Sequence, residues 1–539
     1  MGFWEQSVRI FNYLCEAGTQ SVRHIAQHTG LSKSSAHRLT QAIVRRDIHP
    51  ESWMWETAEG RRWLTRLVVA TLYTFGLKRG VGLDTMSEFF SHLHLETQVG
   101  SSPGALRGVL QTLAQAILEI GQAWEQDAVA AGEVPEIIGA VDETFLERLL
   151  LVFLDLPTGY LLLEEAVEDR SYATWKGLVD KRLETLGAPV RYLVSDRAKA
   201  LIQLAQQGLE CLSIPDVFHL VHDIVKSYSL AIGRQLRQAR RALQQAEDRL
   251  QRHREREPRQ AVTREATWQV EITQAEVRRW ETIQREYRQR LETLSLTLHP
   301  FAIEDSACQT SQQVESRVQV QVEAIEALAH MHQLPDRQAT MKKVKKQIPD
   351  LAALVDFWWA GVRQDLERAV VSRLWGTWAQ ETLLPKVYWE YQVTRTRCAR
   401  RKVKMQQALE VVSGTFATHA LTRCLPPQVL GDWHAWATRQ VHAFQRASSA
   451  VEGRNGCLAQ LHHNQRGLPR HRYRVWTVLH NFDCRAADGT TPASRFFRRA
   501  FPDLFETVLP TIGALPRPRP RRYATVLSTV RSKYVVGLT

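Results

Sequence analysis

Ile137-Ile138-Gly139-Ala140-Val141-Asp142-Glu143-Thr144 is a short apolar run that arrives at an acid, and Val190-Arg191-Tyr192-Leu193-Val194-Ser195-Asp196-Arg197 repeats the pattern 54 residues later. Runs of this length and composition read as buried β-strands. Carboxylates at the ends of neighbouring strands can share a hard divalent cation, which prefers oxygen ligands. A third carboxylate would allow two ions, the arrangement that stabilises both the attacking and the leaving oxygen of a phosphodiester.

Working outward, Glu136–Val141 is the first expected strand. Leu149–Leu154 and Tyr160–Leu163 are the next two, joined through the Pro/Gly turn of Asp155-Leu156-Pro157-Thr158-Gly159-Tyr160. Ser171–Leu186 has helical periodicity, with Trp175, Leu178, Val179 and Leu183 on one face. Val190–Val194 is a strand, Ala198–Gln207 a helix and Glu210–Ile214 a short strand. The order β-β-β-α-β-α-β around these acids resembles the RNase H-like catalytic domain of DDE transposases and retroviral-type integrases. The resemblance implies an α/β RNase H-like core holding two Mg²⁺ or Mn²⁺ ions. It also requires a third acid on a later helix that packs back on the sheet.

Glu452 fits that requirement, in Ala447-Ser448-Ser449-Ala450-Val451-Glu452-Gly453-Arg454-Asn455-Gly456. Small residues before it permit close approach to the sheet, and Asn455 at i+3 shares its helical face. Gly453 and Gly456 are poor interior helix residues, which suggests close packing or a helix end. The expected catalytic and metal-binding set is therefore Asp142, Asp196 and Glu452. Arg454, Asn455, His462, His463 and Arg466 are expected DNA contacts. Glu381, Glu390 and Glu410 are rival third acids, and Asp216 is an extra acid near the fifth strand. Asp196 alone also reads as a helix cap. The Tyr-Arg-Glu-Lys spacing of one large transposase family is not matched, so no insertion-sequence family is assigned. His219 and His222 stand at i and i+3, but no cysteine pair accompanies them; a structural role or a contact at the catalytic edge is favoured over zinc.

The N-terminus carries a second signal, in Ser21–Leu39. Gly30 supplies a turn, Ser32 can cap the following helix, and Ile25, Leu31, Ala36 and Leu39 would form a small core. This is a helix-turn-helix pattern, with Lys33, Ser34, Ser35, His37 and Arg38 expected to face DNA. It resembles the winged-helix reading heads of bacterial regulators, with Glu51–Thr57 as the wing. Residues 84–115 offer a weaker second pattern.

Between core and third acid, Ile232, Leu236, Ala239, Leu243, Ala246 and Leu250 keep heptad spacing, as do Ala266, Val270, Val277, Trp280, Tyr287, Leu291 and Leu294. These are two arms of a helical hairpin within a helical insertion. The insertion is rich in tryptophan, mostly core, with Trp389 a candidate to stack on a flipped base. The expected units are 1–66 (winged helix-turn-helix), 67–132 (helical DNA-binding or linker), 133–225 (core, first part), 226–440 (insertion), 441–480 (core, second part) and 481–539 (basic C-terminal region).

The formal charge of +13 favours a polyanionic partner. From Leu461 to Thr539 there are fourteen Lys/Arg against four Asp/Glu, and the interleaved Tyr473, Trp476, Phe482, Phe496 and Phe497 suggest a folded, DNA-facing surface. Arg517-Pro518-Arg519-Pro520-Arg521-Arg522 suggests an extended segment tracking phosphates. Seven scattered cysteines form no CxxC, so free thiols in a reducing cytoplasm are expected. No run of eighteen apolar residues suggests a membrane span, and no signal peptide is visible. Taken together, the expectation is a bacterial DNA transposase, cytoplasmic and nucleoid-associated. It would bind terminal inverted repeats and target DNA, act as a homodimer or larger assembly, and cut and join strands. The alternatives are an RNase H-like nuclease without strand transfer and a DNA-binding regulator derived from a transposase.

Overall fold

The structure is a computed structural model that describes residues 2–132, 134–255, 260–465 and 470–518. Three helices, α1 (Phe3–Ala17), α2 (Val22–Thr29) and α3 (Lys33–Arg46), form an N-terminal head around Ile10, Phe11, Ile25, Ala36, Leu39 and Ile43. Ser21 and Ser32 cap α2 and α3, and Gly30 ends α2 with φ 68°, a left-handed conformation that favours glycine. The expected wing does not form. Pro50–Glu56 is a tight helical turn instead, because Glu56 is drawn inward to a buried ion pair with Arg46 at 2.8 Å.

Next come α4 (Ala58–Thr71), α5 (Leu83–His92) and α6 (Pro103–Ala130). The ten-residue span between α5 and α6 is too long for a helix-turn-helix turn, so the second such pattern does not form. Five strands follow with interspersed helices: β1 (Ile137–Leu146), β2 (Arg148–Asp155), β3 (Leu161–Val167), α7 (Tyr172–Leu186), β4 (Val190–Ser195), α8 (Lys199–Gln203) and β5 (Leu212–Pro215). They make one mixed sheet of order β3-β2-β1-β4-β5. The first three strands are antiparallel, and β4 and β5 are added parallel on the other side of β1. Asp155 closes the β2–β3 turn by accepting from Ile138 N, Thr158 N and the Thr158 hydroxyl.

Beyond the sheet, α9 (Val217–Glu255) and α10 (Gln260–Thr297) form the expected hairpin. His219 and His222 lie in the first turns of the same 39-residue helix rather than on a separate one. The insertion continues through α11 (Ser311–Met331), α12 (Gln338–Arg368), α13 (Arg373–Trp378), α14 (Leu384–Arg395), α15 (Ala399–Thr418), α16 (Ala420–Cys424) and α17 (Pro427–His442). It then returns through α18 (Ser449–Gln465), α19 (Arg470–Phe482), α20 (Pro492–Phe496) and α21 (Leu504–Val508).

The apolar cores do not follow the six expected units. One sheet face, with Ile138, Ala140, Val152, Tyr192, Val194 and Ile214, is continuous with the insertion as far as Val451. The opposite face, with Ile137, Val141, Leu151, Phe153 and Leu193, shares a core with α4–α7 and α19–α21. The sheet is thus packed on both sides, and the C-terminal region belongs to its second layer. Tyr473, Trp476, Phe482, Phe496 and Phe497 are all buried in that layer, so they fold the region but do not face DNA. The reason is the open edge of β3, which α19 covers: the Asn481 side chain both accepts from Leu161 N and donates to Leu161 O, at 2.9 Å each. All seven cysteines are free. Among the described residues no helix is long and apolar enough to cross a membrane.

Candidate active site

Asp142 lies inside β1 and not at its end. The β1–β2 ladder runs on past it, from Asp142↔Val152 to Leu146↔Arg148, while the parallel pairing with β4 stops at Ala140↔Val194. Two residues further along that register, Asp142 and Asp196 would stand abreast, one on each strand, where β4 has left the sheet. Alternation along β1 puts Asp142 on the Ala140 face, toward the insertion. Its neighbour Glu143 points the other way, held by Arg170 at 2.8 Å and by the Trp175 indole N–H. Asp196 is exposed, and its Oδ1 accepts from Ala198 N at 2.9 Å. The local-turn reading therefore accounts for one of its oxygens.

More than two hundred residues separate β5 from α18, and a buried latch brings them together. Asp216, at the end of β5, accepts from Ser448 N at 3.0 Å and from the Ser448 hydroxyl at 2.6 Å. Val217 N donates to Arg446 O, and the Tyr192 hydroxyl donates to Ala443 O and accepts from Gln445 N. Asp216 also accepts from Phe218 N and pairs with His219 at 2.6 Å, so one carboxylate joins β5, α9 and the entry to α18. Burial opposes its ionisation, yet the bonds from His219 and Ser448 hold its pKa below the usual range. The extra acid of the sequence reading is thus a structural joint.

From that joint α18 crosses the sheet over a row formed by Asp142, Val152 and Glu164 on adjacent strands. Asn455 donates to Asp142 Oδ2 at 2.9 Å. Arg454 makes a two-pronged bond to Glu164 at 2.8 and 2.7 Å, with both side chains buried. Arg454 is therefore an anchor for α18 and not a DNA contact, a role that its spacing beside Glu452 did not reveal. Gly453 and Gly456 lie within α18, which runs on past both, and face open space rather than a close neighbour.

Electrostatics tie the acids together. The Asp142 carboxyl is pushed up to about 6, first by burial and then by the charges of Glu452 and Asp196. His219 Nε2 stands 3.6 Å from Glu452 Oε1. The bond to Asp216, and then the charges of Asp216, Asp142 and Glu452, push His219 up to about 9 although burial pulls the other way. This histidine was expected to be structural or to touch the catalytic edge; it pairs with the buried Asp216 and stands beside Glu452. The rival acids are engaged elsewhere: Glu390 pairs with Lys386 and His434, and Glu381 lines a cavity with Arg373 and His419. Glu410 lies on α15, within the insertion.

His462 and His463 follow on α18 in edge-to-face contact, the first half-buried and the second exposed. Arg466 and the segment from Arg519 to Arg522 lie outside the described residues. On α3, Lys33, Ser34, His37 and Arg38 are exposed, while Ser35 is half-buried and bonded to the Ser32 cap. Trp389 is fully buried with its indole N–H on Ser306, so it cannot stack on a base.

The donor set of Asp142, Asp196 and Glu452 suits a hard divalent ion, because carboxylate oxygens are the ligands such an ion prefers and Asp142 is raised by the charges of the other two. Their donor atoms are not drawn together as tightly as those of His49, Glu51 and His94. Among the described residues, that is the one group of three such side chains with donor atoms all within 4.8 Å of one another. The His49 and His94 rings, however, are stacked 3.7 Å apart at 7°. A ring nitrogen binds in its own plane, so one ion cannot lie in both parallel planes. With the 2.8 Å contact between His94 and Glu51, the group reads as a joint between the turn after α3 and the loop after α5.

Compared with known proteins, residues 5–48 match the IclR helix-turn-helix domain, and residues 379–524 match a family of unknown function (DUF6399). The second match spans the end of the insertion, the α18 anchor and the C-terminal layer. No curated protein and no solved structure matches the chain. The chain therefore carries an N-terminal DNA-binding helix-turn-helix domain of IclR type ahead of a mixed five-stranded sheet set among helices.

Proposed function

We propose that the protein is a DNA transposase with an RNase H-like core, in which Asp142, Asp196 and Glu452 hold divalent metal ions and the N-terminal head reads the DNA ends. The observation that carries this reading is that Asp142, half-buried in β1, is raised by the charges of both Glu452 on α18 and Asp196 at the end of β4, across a sequence gap of more than two hundred residues. The strand order, with three antiparallel strands and two parallel ones added beside β1, supports the same reading.

Bound Mg²⁺ or Mn²⁺ would supply Lewis-acid stabilisation of the phosphodiester oxygens. The rest is the work of the chain. Asn455 fixes the rotamer of Asp142, the Asp216–Ser448 latch sets the height of α18, and the Arg454–Glu164 pair fixes its rotation. His219 holds Glu452 with a positive charge, neutralising part of the acid cluster. Lys33, His37 and Arg38 on the exposed face of α3 are placed to enter a major groove.

A DNA-binding regulator is the second reading, favoured by the IclR-type match of the head. A nuclease without strand transfer would use the same acids. The test incubates purified protein with labelled DNA flanking its own gene and a plasmid target, with Mg²⁺ or Mn²⁺, alongside Asp142→Ala, Asp196→Ala and Glu452→Ala. Nicked ends and joined products that vanish in all three variants are expected. Cutting without joining would select the nuclease, and specific binding with no cutting in either metal would select the regulator.

A further inference from the structure

Among the described residues, one face of α9 has no charged partner and carries a single sign of charge. Phe218, His222, Lys226, Arg234, Arg237 and Arg241 are all exposed and stand three, four or eight residues apart, which puts them in one stripe winding along the helix. Leu230, exposed in the same row, completes it. No acidic residue occurs between Asp223 and Glu247. Asp223 is itself paired with Lys343, and the nearby Arg240 is paired across to Glu281. Among the described residues, Lys226, Arg234, Arg237 and Arg241 have no carboxylate within salt-bridge distance.

The stripe begins at the acid cluster. His219, which contacts Glu452, lies between Phe218 and His222, whose rings stack with centroids 6.0 Å apart. From there to Arg241 the helix advances roughly 35 Å at about 1.5 Å per residue. That length is close to one turn of duplex DNA, about 34–36 Å.

We infer that this stripe of α9 is a docking surface for the phosphate backbone of duplex DNA leaving the acidic centre. The occupant is a duplex because the four cations are spread over about 22 Å of helix, roughly two thirds of a duplex turn, and not gathered in a pocket. The inference rests on the reading of the acids as a phosphodiester-cutting centre, but its test is a binding measurement that does not depend on cutting.

Affinity of the full chain for a duplex of gene-flanking DNA is measured by anisotropy across a salt series. The wild type is compared with Lys226→Gln/Arg234→Gln/Arg237→Gln/Arg241→Gln. The control, Arg264→Gln/Arg278→Gln/Arg285→Gln/Arg288→Gln, removes as many exposed charges from α10. Each phosphate contact contributes about 0.9 to the slope of log K against log salt, so the stripe variant should lose about 3–4 from that slope and the control much less. Circular dichroism melts establish that both variants fold. An equal slope for wild type and stripe variant, an equal loss in both variants, or no DNA binding by the wild type would overturn the inference. A flattened slope in a protein that never cuts DNA would keep the stripe and remove the transposase reading. Normal cutting with an unchanged slope would do the reverse.

Discussion

At the scale of single residues, the site depends on side chains that act through others. Asn455 reaches Asp142 only because Arg454, one position earlier, is clamped to Glu164 beneath the helix. Asn455→Ala should leave the fold intact and weaken metal binding or cutting by about 10–100-fold, the usual cost of losing a group that orients a ligand. Calorimetric titration with Mn²⁺ would read the first and the cleavage assay the second; unchanged values in both would remove Asn455 from the site. Arg454→Met has a different signature. It strands the Glu164 carboxylate in the interior and should cost about 3–5 kcal/mol, much of which Glu164→Met in the same chain should restore. Urea unfolding of the single and double variants measures this. A cost that the second substitution fails to relieve would mean that Arg454 acts through something other than the pair.

At the scale of elements, caps and turns fixed the head and a latch fixed α18. Gly30 at φ 68° and the Ser32 cap set the angle between α2 and α3. Gly30→Val should cost about 1–2 kcal/mol through left-handed backbone strain, and Ser32→Ala about 1 kcal/mol through the lost cap. Both should weaken DNA binding more than they disturb the sheet. Far-UV melts read beside binding isotherms test this, and wild-type binding by both variants would detach the head from DNA recognition. The same elements show why parts of the sequence reading failed. Residues 51–57 hold Trp53 and Trp55 two apart, as on one face of a strand, but burial of Glu56 against Arg46 curls them into a helical turn. Two glycines in α18 suggested a tight contact, yet both face outward, because the faces that pack are set by Val451, Arg454 and Leu458.

At the scale of the whole molecule, the head is bound to the body by a buried polar cluster and by the chain's own C-terminal segment. Arg46, Glu56, Arg61 and Gln98 connect α3 to α4 and to the loop before α6, and Gln98 donates to Asp47. Burial first, and then the charge of Glu56, push the Asp47 carboxyl up to about 7, against the pull of Arg46. An acid whose pKa is raised on folding favours the folded state while it is protonated. Its contribution is therefore complete below about pH 4 and is lost as pH rises through 7. The junction should loosen between about pH 4 and 7, and Asp47→Asn should flatten that dependence in melting experiments. A profile equally steep in the variant would refute the assignment. Nearby, Gly100 N donates to Pro516 O at 2.6 Å, and Arg517 lies over the Phe3 ring at 4.2 Å. A Cβ on residue 100 would stand 2.8 Å from Arg517 O. Gly100→Ala should therefore release residues 513–518 and speed hydrogen exchange at the residue-100 amide, which loses its bond to Pro516 O, with exchange equal to wild type as the contrary result.

The sequence alone determined what depends on local chemistry: the capped helix-turn-helix, the succession of strands and helices along the chain, the Asp155 turn and the heptad hairpin. Each of these follows from spacing, caps or turn residues within a few positions. It also singled out Asp142, Asp196 and Glu452 as the acids to test. Only the tertiary structure decided how α18 is held, because the Asp216–Ser448 and Arg454–Glu164 bonds span 232 and 290 residues and leave no local periodicity. Tertiary packing likewise decided that the C-terminal aromatics are core and that Trp389 is beyond the reach of DNA. Composition counts aromatic and basic residues but cannot say which of their faces a second layer will cover.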